Sequence, residues 1–346
     1  MRRGRHAETV SARGGRRSGG GLRHTLGAMA SPAIDVVIPV HGGWQLTRRC
    51  LEHLAAQTAG HTVTVVDNAS PDGTLARLRA EFPDVRVLEM GVNAGFARAV
   101  NRGVAGGTGD VVVLLNNDVE CEPEFLARLT APFDDPAIGS AAGLLLRPGG
   151  ERVDAFGIAT DATLACFVRH QGGRSEAVGA GGTPPLLGPH GAAAAYRRRA
   201  LEAIGGFDER IFFYGEDLDV ALRLRAAGWR TVAVADARAI HLGGATAGKR
   251  SAWQREHGGF GRGYLLRRYG ILRSRAGLRA LATEAIVVAG DLAISRDTAA
   301  LRGRRAGWLA ASGCARRAVP AEASRSPVGF VESLRRRVTD YDLEGG

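Results

Sequence analysis

Short β-branched segments alternate with helical patterns along the first third of the chain, and this alternation limits the fold more than any other feature. Four apolar runs recur at intervals of about 25 residues, namely IDVVIPV (34–40), TVTVVD (62–67), VRVLEM (85–90) and VVVLLNND (111–118). The segments between them, 46–57, 74–81 and 96–104, carry apolar side chains at helical spacing. Such a βαβαβαβ series predicts an α/β protein with a mostly parallel sheet flanked by helices on both faces.

The pattern is looser after residue 139. The segments AAGLLL (141–146) and ACFVRH (165–170) predict further strands, and the Gly/Pro-rich segment 172–191 predicts a loop. Helices are expected at 197–204 and 216–227, with a strand at 231–235 after them. The last hundred residues are helical in character, basic and amphipathic.

The formal net charge of +11 is concentrated at the two ends of the chain. Residues 1–28 hold seven arginines against one acid, and residues 251–346 hold 17 arginines against nine acids, whereas residues 29–250 are slightly acidic. This distribution argues against a nucleic-acid-binding core, whose basic patch would lie within the folded body. It favours peripheral contact with an anionic membrane. The alternative is that the two ends are solvated segments with no charged partner. Their arginines would then reflect a general preference of this chain for arginine, since Lys249 is its only lysine.

We therefore expect a disordered basic tail at residues 1–28, a folded domain at 29–250 and a basic helical extension at 251–346. The tail lacks the apolar stretch of a signal peptide, and no segment offers the roughly 18 apolar residues of a membrane span. Four widely spaced cysteines with no C-x-x-C pair indicate neither a disulfide framework nor a zinc site. These features predict a cytoplasmic protein that is soluble or peripheral at the inner face of the membrane.

Polar residues follow the ends of the predicted strands, where parallel sheets bind ligands. Asp67 ends the second strand, and its carboxylate can accept a hydrogen bond from a base or ribose. The alternative, strongest for Ser70 and Asp72, is an Asx-turn that caps the helix at Thr74.

Two further segments suit a bound diphosphate and its cation. NAGFARAVNRG (93–103) places Arg98 beside a helix N-terminus, an arrangement suited to a diphosphate, although a helix of this kind can also serve packing alone. In LLNNDVE (114–120) a strand runs into Asp118, whose carboxylate could hold Mg²⁺ or Mn²⁺ together with substrate phosphates. A strand-terminal turn is the alternative for this second segment.

The densest cluster of reactive side chains lies between residues 205 and 229. Asp217 falls in the first turn of a helix that opens at Glu216, and Asp219 is expected to pair with Arg223 at i, i+4. Acids at a helix N-terminus are favoured by the macrodipole, so capping explains part of the pattern. The aromatic run before them suits a general base, because an apolar environment raises the pKa of a carboxyl group.

His241 follows a strand and enters a Gly-rich turn, where an imidazole can bind a metal or phosphate or can be merely structural. With it, six segments stand in a characteristic order, namely IPVHGG, VVDNASPDGT, NAGFARAVNRG, LLNND, GGFDERIFFYGEDLD and HLGGAT. Together they resemble the inverting family 2 glycosyltransferases with the GT-A fold, and above all their rhamnosyltransferase-like branch. The resemblance covers about residues 34–250.

The resemblance implies roles for individual residues. The nucleotide and substrate would be bound by Pro39, Asp67, Asn93, Gly95, Arg98, Asn117 and Glu216. The D-x-D motif of the family corresponds to Asn116, Asn117 and Asp118, so that Asp118 would hold Mg²⁺ or Mn²⁺ and His241 can join it. The E-D motif makes Asp217 the base that activates the acceptor.

The implied activity is inverting transfer of a sugar from a nucleotide-diphosphate sugar to a glycan or polyprenyl-linked acceptor in cell-envelope polysaccharide synthesis. The branch suggests dTDP-rhamnose as the donor, and UDP-linked hexoses and galactofuranose stay open. One alternative is a non-catalytic nucleotide-sugar-binding protein, against which the joint presence of Asp118, Asp217 and His241 argues. The other is a nucleotidyltransferase, which would need a basic triphosphate loop where HGGWQLT has no basic residue before Arg48.

Overall fold

The computed structural model describes residues 32–178, 185–243 and 251–342. Its strands are β1 Ile34–Val40, β2 His61–Asp67, β3 Arg86–Glu89, β4 Val111–Leu115, β5 Val119–Cys121, β6 Ile138–Leu146, β7 Val153–Ala155, β8 Ile158–Thr160, β9 Cys166–Val168, β10 Ala193–Arg197 and β11 Arg230–His241. Its α-helices are α1 Trp44–Ala55, α2 Thr74–Glu81, α3 Phe96–Ala105, α4 Phe125–Thr130, α5 Arg198–Ala203, α6 Glu216–Ala226, α7 Ala252–Arg268, α8 Gly277–Ser295, α9 Ala299–Ala310, α10 Ala321–Ser324 and α11 Phe330–Asp342.

One mixed sheet runs in the order β3-β2-β1-β4-β10-β6-β11-β5, with β7 added beside β6. The predicted parallel series is confirmed, since β1 pairs parallel with β2 and β4, and β2 with β3. The second half departs from it because β10 inserts antiparallel between β4 and β6. Strands β8 and β9 form a separate antiparallel pair.

The apolar runs of the sequence form the centre of this sheet. Every residue of β4 is buried, as expected for a strand covered by helices on both faces. Along β1, Val36 and Ile38 pack in one hydrophobic cluster and Val37 packs in another, so that the strand serves both faces of the sheet. Helix α3 approaches closely because Gly103 has no side chain: a Cβ there would lie 2.3 Å from Val37 Cγ1.

Most predicted boundaries agree with the structure to within two residues. The predicted strand 111–118 is an exception, because it ends at Leu115 and a turn at Asn117–Asp118 leads into β5. The predicted strand 231–235 is longer than expected and continues to His241. The tail 1–28 and the part of the HLGGAT segment after Gly243 lie outside the described residues, and the division at residue 250 stays a prediction.

The C-terminal helices form a layer in which α7 and α9 touch backbone to backbone. A Cβ at Gly303 would lie 1.9 Å from the carbonyl oxygen of Glu256, and one at Gly307 would lie 1.9 Å from that of Phe260. Glycine therefore sets the distance between these two helices. Within the described ranges, no helix is both long and apolar enough to cross a membrane.

Buried ion pairs attach this layer to helix α6. Arg317, which follows α9, bonds to Asp219 of α6 and lies 3.0 Å from Asp208. Tyr269 and Tyr264 donate hydrogen bonds to the same two carboxylates, at 2.9 and 2.7 Å. The C-terminal helices thus support the helix on which the predicted base stands.

Candidate active site

The ends of β1, β2 and β4 bring the predicted nucleotide-binding residues to one edge of the sheet. In the parallel register of β1 and β2, Val40 pairs with Asp67 and Pro39 pairs with Val66. Asp67 is buried, and its carboxylate accepts a long hydrogen bond from the backbone N–H of Ser70 at 3.3 Å. A buried carboxylate with one weak donor retains acceptor capacity for a ligand.

Asn68 joins the end of β2 to the loop before α3. Its Nδ2 donates to Asn93 Oδ1 at 3.0 Å and to the carbonyl of Gly95 at 3.2 Å, while its Oδ1 accepts from Ala94 N at 2.8 Å. Asn93 in turn accepts a bond from the N–H of Gly95. The side chains of Asn68 and Asn93 are therefore engaged in holding this loop in one conformation.

Gly95 links that loop to the aromatic segment before α6. Its φ of +88° favours glycine, and a Cβ there would lie 2.7 Å from both the ring and the carbonyl oxygen of Phe212. The next residue, Phe96, donates its N–H to that carbonyl at 2.8 Å. Arg98 lies farther along α3, more than half exposed, with its Nε 3.3 Å from Glu209.

Asn117 stabilises the turn after β4. It is buried, and its Nδ2 donates to the carbonyl of Gly42 at 3.2 Å and to Thr47 Oγ1 at 2.9 Å. These bonds join the β4 turn to the loop after β1 and to the first turn of α1, so Asn117 holds these three segments together.

Asp118 and His241 are brought side by side by strand pairing. The antiparallel register of β5 and β11 sets His241 opposite Val119, next to Asp118. His241 Nε2 lies 3.3 Å from Asp118 Oδ1. That oxygen is buried, and no hydrogen-bond donor among the described residues reaches it with good geometry.

Asp154, which the sequence analysis did not single out, completes this group. Its Oδ2 lies 2.7 Å from His241 Nδ1, so the imidazole is held between two carboxylates. Burial lowers the pKa of His241, but its contacts with Asp118 and Asp154 outweigh burial and raise that pKa from 6.5 to about 9. Burial also raises the pKa of Asp154, and the bond to His241 outweighs it and lowers that pKa.

His190 is a second residue that the sequence analysis missed. Its ring lies 6.4 Å from that of His241, and its Nδ1 accepts the N–H of Ala192 at 3.3 Å. Burial lowers its pKa, while the charges of Asp217, Asp154 and Asp118 oppose that shift. The neutral ring therefore carries its proton on Nε2. A Pro-His-Gly turn before an alanine-rich strand was the signal that could have drawn attention to it.

Glu216 and Asp217 open helix α6 in different environments. Glu216 is buried, and burial together with the charge of Asp217 raises its pKa from 4.5 to about 8. Asp217 is half-buried, and its Oδ1 accepts the N–H of Leu218 at 2.7 Å. A Cβ on Gly191 would lie 4.0 Å from Asp217 Oδ2, so glycine there leaves space beside that oxygen.

Aromatic side chains gather beside this helix start. Phe213 and Tyr214 lie with ring centroids 4.5 Å apart, and Phe213 lies 5.7 Å from Trp253 at the start of α7. Trp253 stacks on His257 at 4.0 Å and is 41% exposed. Half-exposed aromatic faces of this kind can stack against a sugar ring or an apolar chain.

The residues present fit a divalent cation as partial ligands. No group of three or more His, Cys, Asp and Glu in the described ranges is arranged to hold a metal by itself. Asp118 nevertheless offers a buried oxygen that accepts no hydrogen bond, and the bond from His241 to Asp154 directs Nε2 toward that oxygen. A cation at this place would need further oxygen ligands from a substrate.

Solved structures share the architecture. The chain matches the mannosyltransferase PcManGT of Pyrobaculum calidifontis, in complex with GDP-Man and Mn²⁺, with a TM-score of 0.50 and 22% identity, covering 81% of this chain and 86% of that one. GalNAc-T7 with UDP, GalNAc and Mn²⁺ matches with a TM-score of 0.54 and 16% identity over 73% of this chain and 52% of that one. These likenesses confirm the GT-A fold.

Sequence comparison supports the same assignment. The chain is 30% identical over 218 residues to the N-acetylglucosaminyl-diphospho-decaprenol L-rhamnosyltransferase of Mycobacterium tuberculosis, covering 52% of this chain and 66% of that relative's length. The model of the family described as "Glycosyl transferase family 2" matches residues 35–205, which hold β1 to β10 and the NAGF and NND segments. Residues 35–205 therefore form a glycosyltransferase family 2 domain.

Proposed function

We propose that this protein is an inverting glycosyltransferase that moves a sugar from a nucleotide-diphosphate sugar to a hydroxyl group of a glycan or lipid-linked acceptor. The observation that carries the proposal is a cluster around His190, whose ring feels the charges of two sets of groups: Asp118, Asp154 and His241, and Asp217 at the start of α6. One group suits a diphosphate with its cation, and the other suits an acceptor hydroxyl.

The donor nucleotide is assigned to the edge formed by β1, β2 and β4. The residues proposed to contact or shape its site are Pro39, Asp67, Asn93, Gly95, Arg98, Asn117 and Glu216. Asp67 has acceptor capacity for the base or ribose, and Asn117 and Asn93 hold the surrounding loops. Arg98 would have to leave Glu209 to reach a diphosphate.

Asp118 and His241 are proposed to hold Mg²⁺ or Mn²⁺ together with donor phosphate oxygens. When bound, the cation supplies positive charge that offsets the negative charge developing on the diphosphate leaving group. His241 must present Nε2 without its proton to act as a ligand, and Asp154 keeps the ring oriented by accepting from Nδ1. Both Mn²⁺-bound neighbours of the fold support this assignment.

Asp217 is proposed as the general base. Its Oδ1 is engaged by Leu218 N–H, which leaves Oδ2, beside Gly191, for the acceptor hydroxyl. As Oδ2 takes the hydroxyl proton, the acceptor oxygen forms a bond to the anomeric carbon and the bond from that carbon to the diphosphate oxygen breaks. A single displacement from the face opposite the leaving group inverts the anomeric centre.

The donor is proposed to be dTDP-rhamnose and the acceptor a polyprenyl-linked or glycan intermediate of cell-envelope polysaccharide. The mycobacterial relative, named as a rhamnosyltransferase acting on N-acetylglucosaminyl-diphospho-decaprenol, supports both choices. Work on such an acceptor would place the protein in the cytoplasm, in peripheral contact with an anionic inner membrane face.

The first test is calorimetric binding of dTDP, UDP and GDP, each with Mn²⁺ and with a chelator. We expect cation-dependent binding of dTDP above the other two nucleotides. Binding of none of them under any condition would contradict the transferase and the roles of Asp67 and Asp118.

The second test concerns the base. Asp217→Asn is expected to lower transfer from the bound donor by about 10²- to 10⁴-fold, the usual contribution of a general base, and to keep nucleotide affinity. Glu202→Gln, which changes an exposed acid on α5, is the matched control and should leave the rate unchanged. Normal turnover by the Asn variant would show that Asp217 is not the base.

A further inference from the structure

Helix α8 exposes an apolar face that no described element covers. Leu278, Leu281, Ile286 and Ile294 are 84%, 52%, 50% and 83% exposed. The small exposed residues of the same helix are alanines, namely Ala282, Ala285, Ala289 and Ala293. At 3.6 residues per turn, all of these except Ile294 fall within an arc of about 140°, and the stripe from Leu278 to Ala293 is about 22 Å long.

The charged residues of α8 point inward. Arg279 pairs with the buried Asp161 at 3.0 Å, and Asp291 pairs with Arg255 at 3.2 Å. Glu284 lies 2.8–3.0 Å from three arginines, which are Arg262, Arg304 and Arg337. A surface helix normally does the reverse, with apolar residues inside and charges in water. The exposed stripe therefore indicates a surface that contacts an apolar partner.

Exposed arginines flank the helix at both ends, and Asp297, which follows one of them, is paired with Arg255. Arg273 and Arg275 precede α8 and Arg296 follows it, and all three are exposed. None of them forms a salt bridge with a residue in the described ranges. An apolar stripe between cationic ends matches the headgroup region of an anionic bilayer, where acyl chains meet the stripe and lipid phosphates meet the arginines. A second copy of this chain would bring the same positive ends together.

We propose that α8 lies flat on an anionic phospholipid surface, with its Leu278–Ala293 face inserted among the acyl chains and Arg273, Arg275 and Arg296 among the phosphates. This deepens the proposed function, on which its purpose rests, because it states how a lipid-linked acceptor is met. The sequence suggested basic residues as the docking feature. In the structure, many arginines of the extension are bound internally, so insertion supplies the affinity and the remaining arginines supply the preference for anionic lipid.

The position of α8 relates this surface to the active site. Asp291, in the C-terminal half of α8, holds Arg255 in the first turn of α7. Trp253 lies two residues earlier, and its ring contacts Phe213 in the segment before Asp217. A short chain of contacts therefore joins the membrane-facing helix to the aromatic residues beside the proposed base.

Flotation of the full chain with phospholipid vesicles tests the proposal. With vesicles of phosphatidylcholine and phosphatidylglycerol at 7:3, we expect recovery well above that with phosphatidylcholine alone at low salt. The double variant Leu278→Gln/Ile286→Gln should reduce partitioning by about tenfold to a hundredfold, because each exposed side chain loses most of its transfer free energy. Val92→Gln, at a 66% exposed apolar residue far from α8 in sequence, is the matched control and should float like the wild type.

Equal recovery with neutral and anionic vesicles, or a double variant that floats like the wild type, would overturn the proposal. Sedimentation velocity without lipid tests the other possible occupant, a second copy of this chain. A dimer that the double variant abolishes would assign the face to that second copy instead. Thermal melting checks that the variants are folded. Nucleotide binding is measured on the same samples, so that a failed transferase assignment and a failed membrane surface give different results.

Discussion

Cation binding at Asp118 and His241 is expected to release a proton, and the structure sets the size of this effect. Without a cation, the contacts with two carboxylates raise the pKa of His241 to about 9, which keeps the imidazole protonated at pH 7. A metal ligand must be the neutral ring, so the cation has to displace that proton. Two pH units below the pKa, this competition weakens apparent affinity by about 100-fold, or about 2.7 kcal/mol.

The measurement is calorimetric titration of Mn²⁺ into the complex of protein and nucleoside diphosphate, in buffers with different ionisation enthalpies. At pH 7 we expect about one proton released per cation, and between pH 6.5 and 8.5 an affinity that rises nearly tenfold per unit. His241→Asn should abolish this pH dependence and weaken binding. If the variant loses the pH dependence, the released proton comes from the His241 imidazole and not from the nucleotide.

Asp154→Asn separates charge from orientation in the same assay. Loss of one carboxylate brings the pKa of His241 back toward 6.5, so fewer protons are released at pH 7.5, while the less well oriented ring lowers affinity at high pH by about 10- to 100-fold. Glu151→Gln, an exposed acid three residues away, is the matched control. If affinity were flat from pH 6.5 to 8.5 with no proton released at pH 7, His241 would not be a ligand.

Three further predictions concern stability, measured by chemical denaturation. Asp219→Ala should cost about 3–5 kcal/mol, because it removes the fully buried carboxylate that pairs with both Arg223 and Arg317. Gly307→Ala should lower the free energy of unfolding by about 3 kcal/mol or more, since its Cβ would meet the carbonyl of Phe260. Gly290→Ala, with open space in α8, should raise it by about 1 kcal/mol. Equal effects of the two substitutions would refute the backbone contact. Glu216→Gln should match the wild type near pH 4.5 and exceed its stability by a few kcal/mol above pH 8, because ionisation of the buried glutamate is disfavoured only in the folded state; a constant difference across pH would contradict this.

The parallel half of the fold could be predicted from the sequence because its strands are buried on both faces. Such strands appear as continuous β-branched runs, as in Ile34–Val40 and Val111–Leu115, and polar residues mark where they end. The antiparallel strand Ala193–Arg197 could not be predicted in the same way. Its AAAYR sequence has little β propensity, and it becomes a strand because small side chains fit between β4 and β6.

The role of the glycines in the C-terminal helices also cannot be predicted from the sequence. Within a helix, Gly303 and Gly307 lower intrinsic helix stability. The structure uses them for the contact between α7 and α9, which depends on a partner about 45 residues away. No periodicity within one helix can reveal such a requirement.

The proposed catalytic group also combines residues that sequence motifs identify with residues that only the tertiary structure brings in. Motif order singled out Asp118, His241 and Asp217, but Asp154 and His190 join them only through strand pairing between distant segments. A short VDA strand carries no chemical signal of its own. The pairing of β7 with β6, and of β6 with β11, is what brings its carboxylate to the histidine.

The adjacent acids of α6 show what this difference means for the reaction. In sequence, Glu216 and Asp217 are adjacent carboxyl groups at a helix start, and only the resemblance to the family distinguishes Asp217 as the base. In the structure, burial and the charge of its neighbour raise the pKa of Glu216 to about 8, so Glu216 holds a proton at pH 7 and adds no negative charge of its own to the site. The half-buried Asp217, with Oδ2 beside the space left by Gly191, is the one placed to take a proton from an acceptor.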